Sequence, residues 1–230
     1  MNRSKVPRKA ALGTKRAIDV IVATLGLVAL SPVLGASALA VYATMGRPIF
    51  FVQERPGYKE RPFKVRKLRT MRVAQAGEAY LHTDAARLTR LGRFLRRTSL
   101  DELPELWHVL TGEMSLVGPR PLLMEFLPKY TAEQHRRHDV RPGISGWAVV
   151  HGRQLIPFSK RLELDVWYVD NWSLGLDLKI LAMTVRAVLR SDGVIHGQSV
   201  DDVDDLGLAA PSALASDDGA GRPGAVPPEG

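Results

Sequence analysis

Two adjacent carboxylates, Asp101 and Glu102, are the residues of this sequence best suited to chemistry. They lie just before Pro104, and because proline is tolerated only in the first turn of a helix, a helix is predicted to begin near residues 99–101. The positive end of the helix dipole then favours ionised carboxylates, which can bind Mg²⁺ or attack a phosphorus atom. Ser99 and Glu102 also match a capping box, which needs no catalytic role, so the pair alone leaves both interpretations open.

Several arginines and lysines near glycine and proline residues could bind the phosphates of a substrate. Arg120 lies between Pro119 and Pro121, so a rigid backbone presents its guanidinium, whose forked geometry matches a phosphate group. Each of the other cations is, by itself, typical of a surface charge. Together with the carboxylate pair and an apolar segment, these cations favour a pyrophosphate substrate handled at a membrane. The further cations are Lys67, Arg69, Arg141 and Arg153.

The composition argues against several other functions. The 230-residue chain has a formal net charge of +8, which indicates an anionic partner. It has no cysteine, which excludes a disulfide scaffold, a thiolate metal site and a cysteine nucleophile. Nucleic acid is disfavoured as the partner because aromatic residues make up only 7% of the chain and no nucleic-acid-binding motif is present. His135, His138 and His151 lack the spacing of zinc ligands, so no zinc site is predicted.

The segment at residues 20–46 carries no charged residue. Its 27 residues would extend about 40 Å as a helix, more than the ~30 Å hydrocarbon core of a bilayer. Pro32 removes the backbone hydrogen bond to the carbonyl of Val28, and the hydroxyl of Ser31 could bond that carbonyl instead. Both flanks are rich in lysine and arginine, which prefer the cytoplasmic side, so a re-entrant helix–break–helix is favoured. A proline-kinked helix that spans the bilayer is the alternative.

The rest of the pattern predicts an α+β fold of mostly helices with one short β-hairpin. The two strands of the hairpin are predicted at 48–53 and 62–66, on either side of a turn-rich stretch. Residues 87–97 form an amphipathic basic helix, typical of a solvated face or of a helix lying on anionic headgroups. The other predicted elements are helices at 99–110, 122–139 (with a break near Pro128), 160–171 and 174–190, a turn at 141–146 and a strand at 147–150.

A series of motifs makes the chain resemble the bacterial sugar transferases, that is, the monotopic polyprenyl-phosphate phosphoglycosyl transferases in a minimal form. The resemblance covers residues 15–189. The motifs are long and occur in the family's order, so a chance match is not credible. They are 15–19 (KRAID), 31–32 (SP), 51–55 (FVQER), 67–71 (KLRTM), 98–104 (TSLDELP), 114–121 (MSLVGPRP), 141–147 (RPGISGW) and 165–168 (DVWY).

This resemblance implies a reaction and residue roles. Such enzymes transfer a sugar phosphate from a UDP-sugar to a polyprenyl phosphate such as undecaprenyl phosphate, release UMP, and thereby initiate polysaccharide or glycoconjugate assembly. The resemblance implies that Asp101 is the nucleophile of a covalent phosphosugar intermediate and that Glu102 binds Mg²⁺. It also implies that Ser31 and Pro32 break a re-entrant membrane helix. Phosphate-binding roles are implied for Lys67, Arg69, Arg96, Arg120 and Arg153.

The expected organisation is a basic segment at 1–14, a re-entrant helix–break–helix at 15–47, a cytoplasmic catalytic domain at 48–192 and a disordered acidic tail at 193–230. The expected partners are a UDP-sugar, a polyprenyl phosphate and membrane lipid, at the cytoplasmic face of a bacterial inner membrane; a homodimer is left open. Departures from the family pattern at 147–161 leave the sugar undetermined. Two other functions stay open: a membrane-attached scaffold for glycan assembly, and a polybasic binder of membranes or nucleic acid.

Overall fold

The computed structural model describes residues 9–73, 84–152, 156–190 and 203–208. The predicted α+β class is confirmed: these residues form mostly helices and one antiparallel hairpin, to which a short parallel strand pair is added. The helices are α1 (Lys9–Met45), α2 (Asp84–Arg87), α3 (Arg90–Thr98), α4 (Glu105–Thr111), α5 (Ala132–His135), α6 (Trp147–Val150), α7 (Phe158–Asn171) and α8 (Leu174–Arg190). The strands are β1 (Phe50–Pro56), β2 (Pro62–Leu68), β3 (Ser115–Val117) and β4 (Gly143–Ser145).

Helix α1 contains the uncharged segment and continues through Ser31 and Pro32 without a gap. Of the described helices, it is the one that is long and apolar enough to cross a membrane. The Ser31 hydroxyl donates a 2.9 Å hydrogen bond to the carbonyl of Val28, the group that Pro32 deprives of its amide partner. The break expected at this position is therefore not an interruption of the helix. The re-entrant path stays a prediction.

Both ends of α1 are bonded to the same folded domain. Near its start, Arg16 donates to two backbone carbonyls at the end of α4, and Asp19 accepts a 3.0 Å hydrogen bond from the amide of Leu116. At its other end, Arg69 donates to the carbonyls of Met45 and of the two residues after it. These contacts fix α1 to the domain at two points far apart along the helix axis.

Strands β1 and β2 form the predicted hairpin, in a register that starts with Phe50 opposite Leu68. Because alternate residues of a strand share a face, Lys67 of β2 lies on the same face as the buried Phe63 and Val65. This placement directs Lys67 towards the interior of the domain. The core beneath the hairpin contains Ala23, Val109, Met114, Leu116, Val117, Tyr168 and Ile180.

The helix predicted at 122–139 is divided into three short pieces. Met124–Lys129 and Arg136–Asp139 are 3₁₀ turns, and α5 lies between them. Pro128 has no amide hydrogen with which to continue a helix, and Thr131 starts α5 anew through a capping box with Gln134. The break expected near Pro128 is present, but the long helix around it is not.

Residues 141–150 differ from their predicted structure. The predicted turn contains β4, which pairs with β3 in parallel. Gly143 allows this pairing, because a Cβ at that position would lie only 2.1 Å from the amide nitrogen of Gly118. The strand predicted at 147–150 is wrong, since these residues form α6. There the indole of Trp147 stacks on that of Trp167 in α7, with 4.9 Å between ring centroids, and such packing outweighs the local strand preference.

The C-terminal helices α7 and α8 confirm the helices predicted at 160–171 and 174–190. Residues 203–208, predicted to be disordered, instead pack on the domain. Val203 and Leu208 are buried beside Phe158, whose amide donates a 2.9 Å hydrogen bond to the Val203 carbonyl. The predicted disorder is therefore wrong for residues 203–208, because the apolar side chains of Val203 and Leu208 are buried against the domain. The remainder of the acidic tail after residue 192, and residues 1–8, lie outside the described residues.

Candidate active site

Asp101 and Glu102 lie in the 3₁₀ turn Leu100–Glu102, between α3 and α4. Ser99 ends α3 with a left-handed backbone (φ 58°), so α4 begins only after Pro104, later than predicted. The Ser99 side chain makes no capping hydrogen bond, and the carboxylate of Glu102 binds other partners. The capping-box interpretation is therefore wrong, and the position of the acidic pair needs another explanation.

Two cations hold the carboxylate of Glu102. The ammonium of Lys67 lies 2.9 Å from Glu102 Oε1 and 3.0 Å from Glu105 Oε1. Arg120 bonds the same carboxylate through Nη2 to Oε1 and through Nη1 to Oε2, the latter at 3.4 Å. Burial alone would raise the pKa of Glu102, but Arg120 and Lys67 outweigh burial and hold that pKa well below its ordinary value. Glu102 is therefore ionised at neutral pH, and its charge raises the pKa of Arg120.

Asp101 has the opposite character, although it is the next residue. It is 7% exposed, and burial together with the charge of Glu102 raises the pKa of Asp101 to about 6, against the lowering effect of Lys67, Arg96 and Arg120. The expectation that a helix dipole would favour ionised Asp101 is wrong in its net effect, because desolvation is the larger contribution. The pair therefore combines a fixed anion with a carboxyl group that titrates close to neutral pH.

Arg96 is held within electrostatic range of Asp101 by the segment that follows β2. Its Nε donates a 3.1 Å hydrogen bond to Thr70 Oγ1. Thr89 caps the start of α3, because its hydroxyl accepts a 2.9 Å hydrogen bond from the amide of Gly92. A Cβ at position 92 would lie 1.9 Å from the Thr70 carbonyl oxygen, so glycine is needed for α3 to approach this segment. The basic helix thus positions Arg96 at the site.

Arg120 is supported from behind by a buried ion pair. Arg137 and Asp165 are bonded at 2.6 Å, and each side chain is 1% exposed. Arg137 also donates a 2.6 Å hydrogen bond to the backbone carbonyl of Arg120, while Nη1 of Arg120 donates to the carbonyl of Ile144 at 3.3 Å. Because a buried ion pair holds its partners in one geometry, these contacts fix the backbone that presents the Arg120 guanidinium.

Comparisons with known proteins decide the family. The description "bacterial sugar transferase" belongs to the family model that matches residues 10–191. The chain belongs to the bacterial sugar transferase family. The resemblance carried by the motifs is thereby confirmed.

Three relatives illustrate the range of proteins to which the chain is similar. It is 51% identical over 180 residues to the uncharacterized sugar transferase EpsL of Bacillus subtilis (strain 168), covering 78% of this chain and 89% of that protein. It is 43% identical over 181 residues to the UDP-glucose:undecaprenyl-phosphate glucose-1-phosphate transferase of Escherichia coli (strain K12), covering 74% of this chain and 39% of that protein. It is 37% identical over 187 residues to the UDP-N-acetylgalactosamine-undecaprenyl-phosphate N-acetylgalactosaminephosphotransferase of Aeromonas hydrophila, covering 78% of this chain and 44% of that protein. The chain therefore spans less than half the length of the last two relatives.

The fold brings most of the predicted site residues together. Arg69 is placed apart from them: it is 6% exposed, and its terminal nitrogens donate to carbonyls at the end of α1. Arg153 lies outside the described residues. Phosphate binding by these two arginines stays a prediction. The residues that do lie together are Lys67, Arg96, Asp101, Glu102 and Arg120.

Four residues that support the site were not predicted from the sequence. Glu105 could have been found, because it follows Glu102 by three residues and therefore shares its side of a helical turn. Asp165 lies in a motif that carries the family resemblance, but nothing local connects it to Arg120. Thr70 likewise lies in a motif of the resemblance, at 67–71, but nothing local connects it to Arg96. Arg137 gave no signal, since its role depends on contacts between residues distant in the sequence.

Three carboxylates of the site are matched in formal charge by three cations among the described residues. The carboxylates of Asp101, Glu102 and Glu105 are matched by three cations: Lys67, Arg96 and Arg120. Carboxylate oxygens are the ligands that Mg²⁺ prefers, so this donor set is chemically suited to that ion. Because these six groups already cancel in formal charge, a doubly charged cation is better accommodated when a diphosphate anion arrives with it.

Proposed function

We propose that this chain transfers a sugar 1-phosphate from a UDP-sugar to polyprenyl phosphate, with Asp101 as the nucleophile and UMP as the leaving group. The observation that carries the proposal is the contrast between Asp101, whose pKa is raised to about 6, and Glu102, which Lys67 and Arg120 keep ionised. Adjacent acids with pKa values pushed apart are typical of active sites. The relatives named for UDP-sugars and undecaprenyl phosphate support this choice of donor and acceptor. Such a transfer initiates assembly of a polysaccharide or glycoconjugate.

In the first half-reaction, a carboxylate oxygen of Asp101 attacks the phosphorus atom that carries the sugar. The bond from this phosphorus to the bridging oxygen of the diphosphate breaks, and its electron pair leaves with UMP. The product is an acyl phosphate, a mixed anhydride in which the Asp101 carboxyl group carries the sugar phosphate. The guanidinium of Arg120 and the ammonium of Lys67 are held in place by Glu102, so they can stabilise charge on the phosphoryl oxygens with little reorganisation.

In the second half-reaction, an oxygen of the polyprenyl phosphate attacks the same phosphorus. The bond to the Asp101 oxygen breaks, which regenerates the carboxylate and leaves a polyprenyl diphosphate sugar in the membrane. The attacking phosphate oxygen is already anionic near neutral pH, so this step needs no separate general base. Arg96, the third cation in range of Asp101, is proposed to help bind the phosphate groups.

The membrane placement that suits this reaction is monotopic, at the cytoplasmic face of the bacterial inner membrane. Helix α1 exposes apolar side chains along its length, and both of its ends are bonded to the same domain. A re-entrant path for α1 is consistent with both features, and basic flanks keep the two ends on the cytoplasmic side. A soluble donor and a lipid acceptor can then meet at Asp101. The exposed apolar residues of α1 include Ile21, Leu25, Val28 and Leu39.

Glu102 is the residue proposed to hold Mg²⁺, with the carboxylates of Asp101 and Glu105 close by. When bound, Mg²⁺ would neutralise charge on the diphosphate. Because the charged groups of the site already balance, we expect the ion to bind with the donor rather than alone. Glu102→Gln should therefore raise the Mg²⁺ concentration needed for half-maximal activity.

The proposal is tested by incubating the full chain in lipid nanodiscs with Mg²⁺, undecaprenyl phosphate and a panel of UDP-sugars. The wild-type protein should release UMP with at least one donor, and a mass spectrum of the protein quenched during turnover should place a phosphosugar adduct on Asp101. Asp101→Asn should abolish both signals, because an amide cannot act as the nucleophile. A loss of about 10³-fold or more in the rate is expected for removal of a nucleophile.

The matched control is Asp170→Asn, which changes a carboxylate outside the site and should leave UMP release intact. Release of UMP by Asp101→Asn at the wild-type rate would contradict the proposal. Full complementation by Asp101→Asn in cells would instead favour the non-catalytic scaffold.

A further inference from the structure

A second group of titratable side chains lies at the tip of the β1–β2 hairpin, away from the acidic pair. Glu60, in the 3₁₀ turn Tyr58–Glu60, meets two histidines from the segment that contains α5. The Nδ1 atoms of His135 and His138 lie 2.6 Å and 3.6 Å from Glu60 Oε1. One ligand atom from each of the three residues lies within 4.8 Å of the others. The sequence did not predict this group, because its carboxylate comes from a part of the chain 75 residues before His135.

The backbone that holds Glu60 in this position is unusual. Lys59 and Glu60 have φ values of 53° and 63°, in the left-handed region that side-chain-bearing residues seldom adopt. Such conformations persist where the surrounding contacts require them and often mark functional sites. Here the consequence is that the carboxylate of Glu60 is directed at the two histidines.

The cations around this group are already paired with other carboxylates. Lys59 is bonded to Asp139 at 2.5 Å, and Arg136 is bonded to Asp170. Arg137 is bonded to Asp165 in the buried pair described above. Among the described residues, Glu60 forms its ion pairs with the two histidines, so its negative charge is available to a cation that the histidines can also bind.

His138 is prepared to act as a neutral ligand. It is 6% exposed, and burial, helped by the charge of Arg137, lowers the pKa of His138 to about 4. Its Nδ1 lies 3.2 Å from the carbonyl oxygen of His135, and its buried Nε2 has no hydrogen-bond partner among the described residues. A neutral imidazole whose one nitrogen bonds a carbonyl while the other lacks a partner is the arrangement typical of a metal-binding histidine.

We propose that Glu60, His135 and His138 bind a divalent transition-metal ion of the Zn²⁺ type. Two imidazole nitrogens and one carboxylate oxygen form a common three-ligand set, with water as the fourth ligand. In such a site the ligand atoms lie roughly 3.2–3.5 Å apart. One ligand atom from each of the three residues lies within 4.8 Å of the others, so the side chains must draw together for the ion to bind. An adjoining cleft of about 220 Å³, also lined by Ala132 and Arg136, has room for the water. The metal would join the hairpin tip to the α5 segment, and so act on stability rather than on the transfer reaction.

The test measures Zn²⁺ bound by the full, untagged chain in nanodiscs after equilibration with a competing chelator. The wild-type protein should retain about one Zn²⁺ per chain, and Co²⁺ in its place should give the absorption bands of a four-coordinate site. Glu60→Gln and His138→Gln should each weaken Zn²⁺ binding at least tenfold. Zn²⁺ at 100 times its Kd should raise the wild-type unfolding temperature by about 5–10 °C. Excess Mg²⁺ should not displace Zn²⁺, because nitrogen ligands disfavour the harder ion.

Two controls keep the result interpretable. His151→Gln removes an exposed histidine outside the group, whose Nδ1 contacts the Trp147 carbonyl at 2.8 Å, and should bind Zn²⁺ like wild type. Glu60→Gly removes the ligand and also relieves the left-handed backbone, so this variant should fold well and still lose the metal. Equal Zn²⁺ affinity in wild type, Glu60→Gly and His138→Gln would overturn the proposal, as would the absence of Zn²⁺ binding by the wild-type chain. Glu102→Gln should leave Zn²⁺ binding unchanged, which separates this site from the acidic pair.

Discussion

Asp101 occupies a position that favours reactivity over stability. Its carboxyl group is buried, and the nearest like charge is the adjacent Glu102, which the surrounding cations hold permanently ionised. Keeping Asp101 ionised above pH 6 therefore costs folding free energy. The three cations reduce this cost without removing it. Such a local cost is common in active sites, where function and stability make opposite demands.

At the residue scale, Asp101→Asn should stabilise the protein while it abolishes transfer. The pKa of Asp101 is about 6 in the folded chain against 3.8 as its ordinary value, so the folded state binds the proton more tightly than the unfolded state. Stability contributed by this proton is present below pH 4 and is lost as the pH rises through 6. At pH 7.5 the amide should therefore add about 2–3 kcal/mol to the free energy of unfolding. Thermal unfolding in nanodiscs at a series of pH values measures this difference.

The shape of the pH dependence distinguishes this cause from a general effect of substitution. The difference in the free energy of unfolding between Asp101→Asn and wild type should be near zero at pH 4 and should grow to its full value by about pH 7. Asp170→Asn, which removes a partly exposed partner of Arg136, should give no stabilisation at any pH. If Asp101→Asn changed the free energy of unfolding by the same amount at every pH, the raised pKa of Asp101 would not be the cause of the stabilisation.

At the element scale, the sequence of α1 both removes a backbone hydrogen bond and supplies its replacement. Pro32 leaves the carbonyl of Val28 without an amide partner, at a position exposed to the bilayer in the proposed placement. The neighbouring Ser31 hydroxyl supplies the missing hydrogen bond, so the helix continues through the proline. The Ser-Pro dipeptide thus combines a site where a helix can bend with local compensation for the lost bond.

A double-mutant cycle tests this compensation. Ser31→Ala alone should destabilise the helix, because the Val28 carbonyl then has no donor in hydrocarbon. In the Pro32→Ala background the same change should cost little, because the new amide at position 32 bonds that carbonyl. The expected coupling is about 0.6 kcal/mol and at most about 1.7 kcal/mol, which are the mean and the maximum found for hydrogen bonds between membrane helices. Unfolding in nanodiscs gives the four free energies, and additive effects of the two changes would contradict the explanation.

At the scale of the whole molecule, the features predicted from sequence were those with a local signal. The α7 and α8 helices and the β1–β2 hairpin follow from periodicity and turn residues, and the acidic pair with Arg120 stands out by residue type and spacing. Pairings between distant segments left no such signal. Strands β3 and β4 are three residues each, and they pair because glycines let two backbones approach.

Prediction from local sequence signals is limited in the same way for the cations of the site. Lys67, Arg69 and Arg96 carry the same charge and similar sequence surroundings, yet two of them lie near the acidic pair and Arg69 lies at the end of α1. Alternation along β2 places Lys67 on the inward face, but the position of Arg69 depends on where a distant helix ends. Residue type therefore predicted the chemistry of the site, while tertiary contacts decided which cations take part.

The path of α1 through the membrane is the prediction that belongs to the whole chain. Because the two ends of α1 are bonded to one domain, we expect both ends and the domain on the cytoplasmic side.

The chain has no cysteine, so single cysteines can report the topology. Thr14→Cys at the start of α1 and Lys160→Cys on α7, both at exposed positions, should react with a membrane-impermeant maleimide in inverted vesicles but not in intact spheroplasts. Val28→Cys, 71% exposed in the protein but facing hydrocarbon in this placement, should react in neither preparation. Labelling of Thr14→Cys and Lys160→Cys from opposite sides would mean that α1 spans the bilayer, and the bonds at its two ends could not then form together.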